Sequence, residues 1–155
     1  MMSMHRTLAI VLLSVLGAAP VAAQDRAAIE LTRQQIQTER QAIVAKNLPL
    51  SEPQSAAFWP LYREYRAALA PVGDRYVALL TGYAEKYGSL TDQDAEAMLK
   101  EFLAIQNEKH KTQSKYVDRF KKVLPATLVA RFYQIENKLD AIVNYDLAGE
   151  VPLAQ

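Results

Sequence analysis

Few residues in this 155-residue chain could carry chemistry. There is no cysteine, and after position 23 the only histidine is His110. No Gly-rich phosphate loop occurs. General acid–base and nucleophilic catalysis each need an activated group with a partner, and Asp and Glu on polar helix faces are usually plain solvated charge. The expectation is a protein that is not an enzyme and uses no cofactor. A soft or borderline metal site wants clustered His, Cys or Met; beyond the N-terminal segment only Met98 joins His110, twelve residues away. His110 with Glu108 or Asp118 could add to an intersubunit site, but a surface histidine is the plainer reading. No metal is expected.

Two constellations remain. Lys109, Lys111, Lys115, Arg119, Lys121 and Lys122 place six positive charges in fourteen residues, opposed only by Asp118. Tyr116 and Phe120 alternate with them. Lys and Arg stems can lie along apolar surface while their charges stay hydrated. Two readings stand: the polar face of an amphipathic helix, or a patch that binds anionic or client segments through Lys109, Lys111, Lys115, Tyr116, Arg119, Phe120 and Lys122. The second constellation is Phe58, Trp59, Tyr62, Tyr65, Tyr76, Tyr83 and Tyr87 on one helix. Most belong in a core or a dimer interface, while a half-exposed tyrosine row suits an adaptable binding surface. Trp59 cannot fully share the face of Phe58, which marks it for an interface.

The elements that must position these residues are helices. Asp25–Asn47 has Ile29, Ile36 and Ile43 spaced by seven among Gln, Arg, Thr and Glu. So thin a stripe suits a solvated arm or a narrow packing seam. Pro49 breaks that helix. Ser51 and Gln54 have capping-box spacing, and Phe58, Tyr62, Tyr65 and Leu69 follow at helical intervals. The second helix is expected over Ser51–Tyr87, bent at Pro60 and Pro71. Thr91 and Asp94 open a third helix that runs to about Val123. Its middle, Gln106–Lys115, lacks any large apolar residue and so faces water. Pro125 suits the first turn of a fourth helix, whose seam is Leu128, Phe132, Ile135, Leu139 and Ile142. No strand pattern occurs.

A degenerate repeat lies 74 residues apart. Leu50 aligns with Leu124, Ala56 with Ala130, Phe58 with Phe132, Trp59 with Tyr133, Leu61 with Ile135, Ala67 with Ala141 and Leu69 with Val143. The expected fold is all-α, four helices as two antiparallel hairpins built from a duplicated unit.

The N-terminus has the form of a secretory signal: Arg6, the apolar run Leu8–Leu16, then small residues with Val21 and Ala23 at the cleavage positions. Residues 1–23 would be removed. The run is too short, with Pro20 interrupting it, for a span of roughly 20 apolar residues, so no membrane span is expected after cleavage. The remaining 132 residues suit one domain, with 24–147 helical and 148–155 a flexible tail. They carry 17 basic and 17 acidic side chains, which gives no argument for nucleic acid. A secreted chain without cysteine must be stabilised by helix packing.

These features together resemble the Spy/CpxP family of periplasmic proteins, defined by an LTxxQ motif. Leu50, Ser51 and Gln54 match it with Ser for Thr. Leu90 and Thr91 keep its start, with the Gln one residue early at Gln93, and Leu124 keeps only the Leu. The resemblance covers roughly Ser51–Leu147. It implies a curved antiparallel homodimer in the periplasm whose concave face, apolar patches rimmed by basic residues, holds unfolded or aggregation-prone clients without ATP during envelope stress. It also implies an alternative: an accessory or negative regulator that binds the extracytoplasmic domain of a stress sensor. A third branch is metal-responsive, and the lack of a His-rich segment counts against it.

Overall fold

The structure is a computed structural model and describes residues 38–154. The expected signal segment and the expected start of the first helix, with Ile29 and Ile36, lie outside the described residues. Contacts divide the chain between Glu39 and Arg40, and all packing below lies within the second unit.

All regular structure among the described residues is helical. Helix α1 is described over 38–47, α2 spans Glu52–Lys86, a 3-10 turn covers Tyr87–Ser89, α3 spans Asp92–Phe120 and α4 spans Ala126–Glu150. Both expected caps form. The Ser51 amide donates to Gln54 Oε1 at 2.9 Å, and the Gln54 amide returns to Ser51 Oγ at 3.5 Å. The Asp94 amide donates to Thr91 Oγ1 at 3.1 Å, while the Asp94 carboxylate accepts from the Thr91 amide and hydroxyl. Each cap satisfies donors that a helix start leaves without an intrahelical partner.

Helix α2 runs unbroken through Pro60 and Pro71. Each proline removes the bond to the carbonyl four residues earlier, at Ala56 and Ala67. All four residues lie on the exposed side of the helix, where water can satisfy the freed carbonyls. Helix α3 stops at Phe120, three residues before the expected end. Val123 N donates to the Phe120 carbonyl at 3.0 Å in the closing turn, and Pro125 disfavours helical backbone at Leu124. Pro125 is the N-cap of α4 rather than a residue of its first turn. Its carbonyl accepts from Leu128 and Val129. At the other end α4 passes the expected boundary at Leu147 and continues to Glu150. The Tyr83 hydroxyl of α2 then donates to the Pro152 carbonyl at 2.9 Å, tying the segment after α4 to α2.

Side-chain contacts between α2 and α3 ascend along one helix as they descend along the other: Glu64 with Arg119, Tyr65 with Tyr116, Arg75 with Glu101, Lys86 with Asp94. That order is antiparallel. The core sits at the start of α2, where Val44, Leu48, Phe58, Leu61, Tyr62, Tyr65, Tyr116, Phe120, Leu124, Val129 and Phe132 form one buried cluster. Its centre is aromatic. Phe58, Phe120 and Phe132 meet pairwise with ring centroids 4.9 to 5.4 Å apart, inside the range where tilted and edge-on rings attract. Beyond Val72 and Ile105 no large apolar side chain of the α2–α3 pair is buried.

Candidate functional site

The basic stretch does not present one continuous surface. Its two aromatic members belong to the core: Tyr116 packs on Tyr65, and Phe120 packs on Phe58 and Phe132. They fall on the inward side of α3 because four residues is close to one helical turn. Two of its cations are engaged. Lys109 Nζ lies 2.7 Å from Asp140. Arg119 donates to Glu64 at 2.6 Å and lies over the Tyr116 ring, 4.8 Å from its centroid. Lys111, Lys115, Lys121 and Lys122 are exposed and have no ion-pair partner among the described residues. His110 is exposed beside them. Of the motif leucines, Leu124 is buried while Leu50 and Leu90 are half-buried. Trp59 stacks edge-on against Phe58 and Tyr62, half-buried at the margin of the core.

A buried ion network, which sequence patterning did not single out, joins all four helices. Glu136 of α4 is 1% exposed. One of its oxygens, Oε2, accepts from Arg40 of α1 and Arg66 of α2, each at 3.1 Å. Arg40, 7% exposed, also donates to Asp140 at 2.8 Å, and Asp140 carries the tie to Lys109 of α3. The other oxygen, Glu136 Oε1, is buried without a hydrogen-bond partner, as is Tyr65 Oη. Burial pushes the Glu136 carboxyl up, and the two arginines pull against it. Burial, then the Glu136 charge, raises the phenols of Tyr62, Tyr65 and Tyr133. Tyr62 reaches about 12. Asp140 moves the opposite way: burial disfavours its charge, but Lys109 and Arg40 together hold it low. A signal for this site existed. Glu136 stands four residues after Phe132 and three before Leu139, on the apolar seam of α4, where an acid needs a partner.

Such a network can fix how four helices register against one another; its centre, Glu136 and Arg40, is buried, and only its rim at Arg66, Lys109 and Asp140 meets solvent. Surfaces that could meet a ligand lie elsewhere. On α3, Leu99 is 60% and Leu103 57% exposed. They share a face with Phe102, which is 36% exposed and meets Tyr76 of α2 at 6.5 Å between ring centroids. Between α1 and α4 runs a groove of about 420 Å³, with Ile43, Ile135, Leu139 and Ile142 as its apolar lining. Among the described residues no group of three or more His, Asp or Glu is placed to hold a metal ion. None of their helices is long and apolar enough to cross a membrane.

Comparison with models of protein families, with curated proteins and with solved structures finds no match.

Proposed function

We propose that this chain is an exported, chaperone-like protein that holds apolar segments of unfolded or aggregation-prone proteins without ATP. The observation that carries the reading is the row Leu99, Phe102 and Leu103. Leaving large aliphatic side chains in water forgoes about 1.5–3 kcal/mol each relative to burial. Such exposure within an ordered helix, away from its ends, is characteristic of a surface awaiting a partner. Lys111 and Lys115, further along the same helix, are exposed cations with no ion-pair partner among the described residues and are able to draw in acidic parts of a client. The signal-like N-terminus and the resemblance to Spy/CpxP proteins support a place in the periplasm.

Suppression of the aggregation of an unrelated unfolding protein, measured without nucleotide, tests this. Protection at substoichiometric to equimolar amounts is expected. The double variant L99S/L103S should lose most of it with helicity intact, since both side chains already face water. Charge reversal of Lys111, Lys115 and Lys122 should weaken the part that salt also weakens. No protection at a several-fold excess would refute the reading.

A further inference from the structure

The groove between α1 and α4 is separate from the α3 row and has its own chemistry. Ile135, Leu139 and Ile142 form one stripe of α4, spaced by four and three, and Ile43 faces them from α1. Ile142 is 60% exposed, so the stripe is open to solvent. Its polar lining is the neutral amides Asn47 and Gln134 and the cations Arg131 and Lys138. Lys138 is exposed and has no ion-pair partner among the described residues. Arg131 spends only its Nε, which donates to the Asn47 carbonyl at 2.7 Å, leaving the rest of its guanidinium fork. No carboxylate lines the groove.

Both walls are helices, whose mid-helix backbone groups are already bonded within each helix, so the groove offers no strand edge for an extended segment to pair with. An occupant that buries its backbone there must satisfy its own hydrogen bonds. A helix does this. The volume admits a few side chains rather than a whole helix, so the occupant lies along the groove and inserts one apolar face. The lone cations favour carboxylates flanking that face and disfavour lysines.

We infer that the α1–α4 groove is a docking site for an amphipathic helix of another protein, apolar at i, i+3 or i+4, and i+7, with flanking acidic residues. This inference does not depend on the proposed chaperone activity.

The test uses the full chain and two synthetic helical peptides with the same apolar face, one flanked by Glu and one by Lys, followed by fluorescence anisotropy. The Glu peptide should bind saturably, and the Lys peptide at least about tenfold more weakly, close to 1.4 kcal/mol. Ile142→Ser should weaken the Glu peptide, and Lys138→Glu, which leaves Arg131 as the one cation of the groove, should erase most of the preference between the two. Both side chains are exposed, so neither change threatens the fold. Equal binding of both peptides, no saturable binding, or binding lost in L99S/L103S but not in Ile142→Ser would overturn the inference. So would sedimentation showing a second copy that occupies the groove and leaves on Ile142→Ser.

Discussion

Phe58 and Phe132, equivalent positions of the 74-residue repeat, meet edge to face in the core with ring centroids 5.2 Å apart. Both are fully buried. The correspondence extends along the two helices. Ala56 and Ala130 are both exposed, and Trp59 and Tyr133 are both half-buried. The same register pairs Tyr62 with Glu136, both buried. Glu136 is thus an acid at a position whose counterpart holds an aromatic ring, which explains why it needs two arginines.

The phenylalanine pair should dominate stability. Phe58→Ala and Phe132→Ala are each expected to cost about 3–5 kcal/mol. Because the rings touch, the double variant should lose less than the two together. Denaturant unfolding followed by helicity measures all three, and strict additivity would mean the contact carries no coupling.

Glu136→Gln removes the charge that Arg40 faces inside the protein. Breaking one side of a buried pair typically costs about 3–5 kcal/mol, because the other charge is left buried. Asp140 still faces Arg40, so the lower end of that range is expected. A combined replacement, Arg40→Met with Glu136→Leu, should recover most of the loss. If Glu136→Gln melts like the parent, the network does not hold α1.

Two tyrosine hydroxyls make opposite predictions. Tyr65→Phe deletes a buried hydroxyl that has no partner, although the Gln113 side chain lies near it. It should be neutral or stabilising by up to about 1 kcal/mol. Tyr133→Phe loses a 2.8 Å bond to the Gln113 carbonyl and should cost about 0.5–1.5 kcal/mol. Thermal melting of the two variants side by side decides it.

Alkali should unfold the protein through its core tyrosines. Tyr62 rises from 10.0 in the unfolded chain to about 12 when folded, mainly by burial and then by the Glu136 charge. Between those values the folded state keeps a proton that the unfolded chain gives up. The stability it confers is therefore complete below pH 10.0 and lost as pH climbs to about 12. Tyr65 and Tyr133 shift in the same direction. Phenolate absorbance should show Tyr62, Tyr65 and Tyr133 ionising together with loss of helicity. If Tyr62→Phe left the alkaline unfolding of the protein unchanged, the role assigned to Tyr62 would be disproved.

The serine cap is a local test. Ser51→Ala should cost about 1 kcal/mol, and Ser51→Asp should keep most of the stability, since the bond needs only an oxygen acceptor. Equal melting of Ser51→Ala and the parent would show that the cap contributes nothing.

What the sequence determined by itself was local. Spacings of three and four placed the helices, Ser51 with Gln54 and Thr91 with Asp94 marked their starts, and Pro49 and Pro125 bounded them, because propensity, capping and backbone sterics act within a turn or two of the chain. The repeat even paired Phe58 with Phe132 before any contact was known. Tertiary structure alone decided which way each face points. Tyr116 and Phe120, alternating with lysines, turned inward because α2 and α4 supply the rings they meet. Leu99 and Leu103, equally apolar by type, were left in water because α2 lies alongside α3 on another face and no described helix covers theirs. Arg40 and Glu136 stand 96 residues apart, and no local pattern joins them. Burial and charge pairing depend on what the rest of the chain brings alongside, and that is settled only when the helices pack.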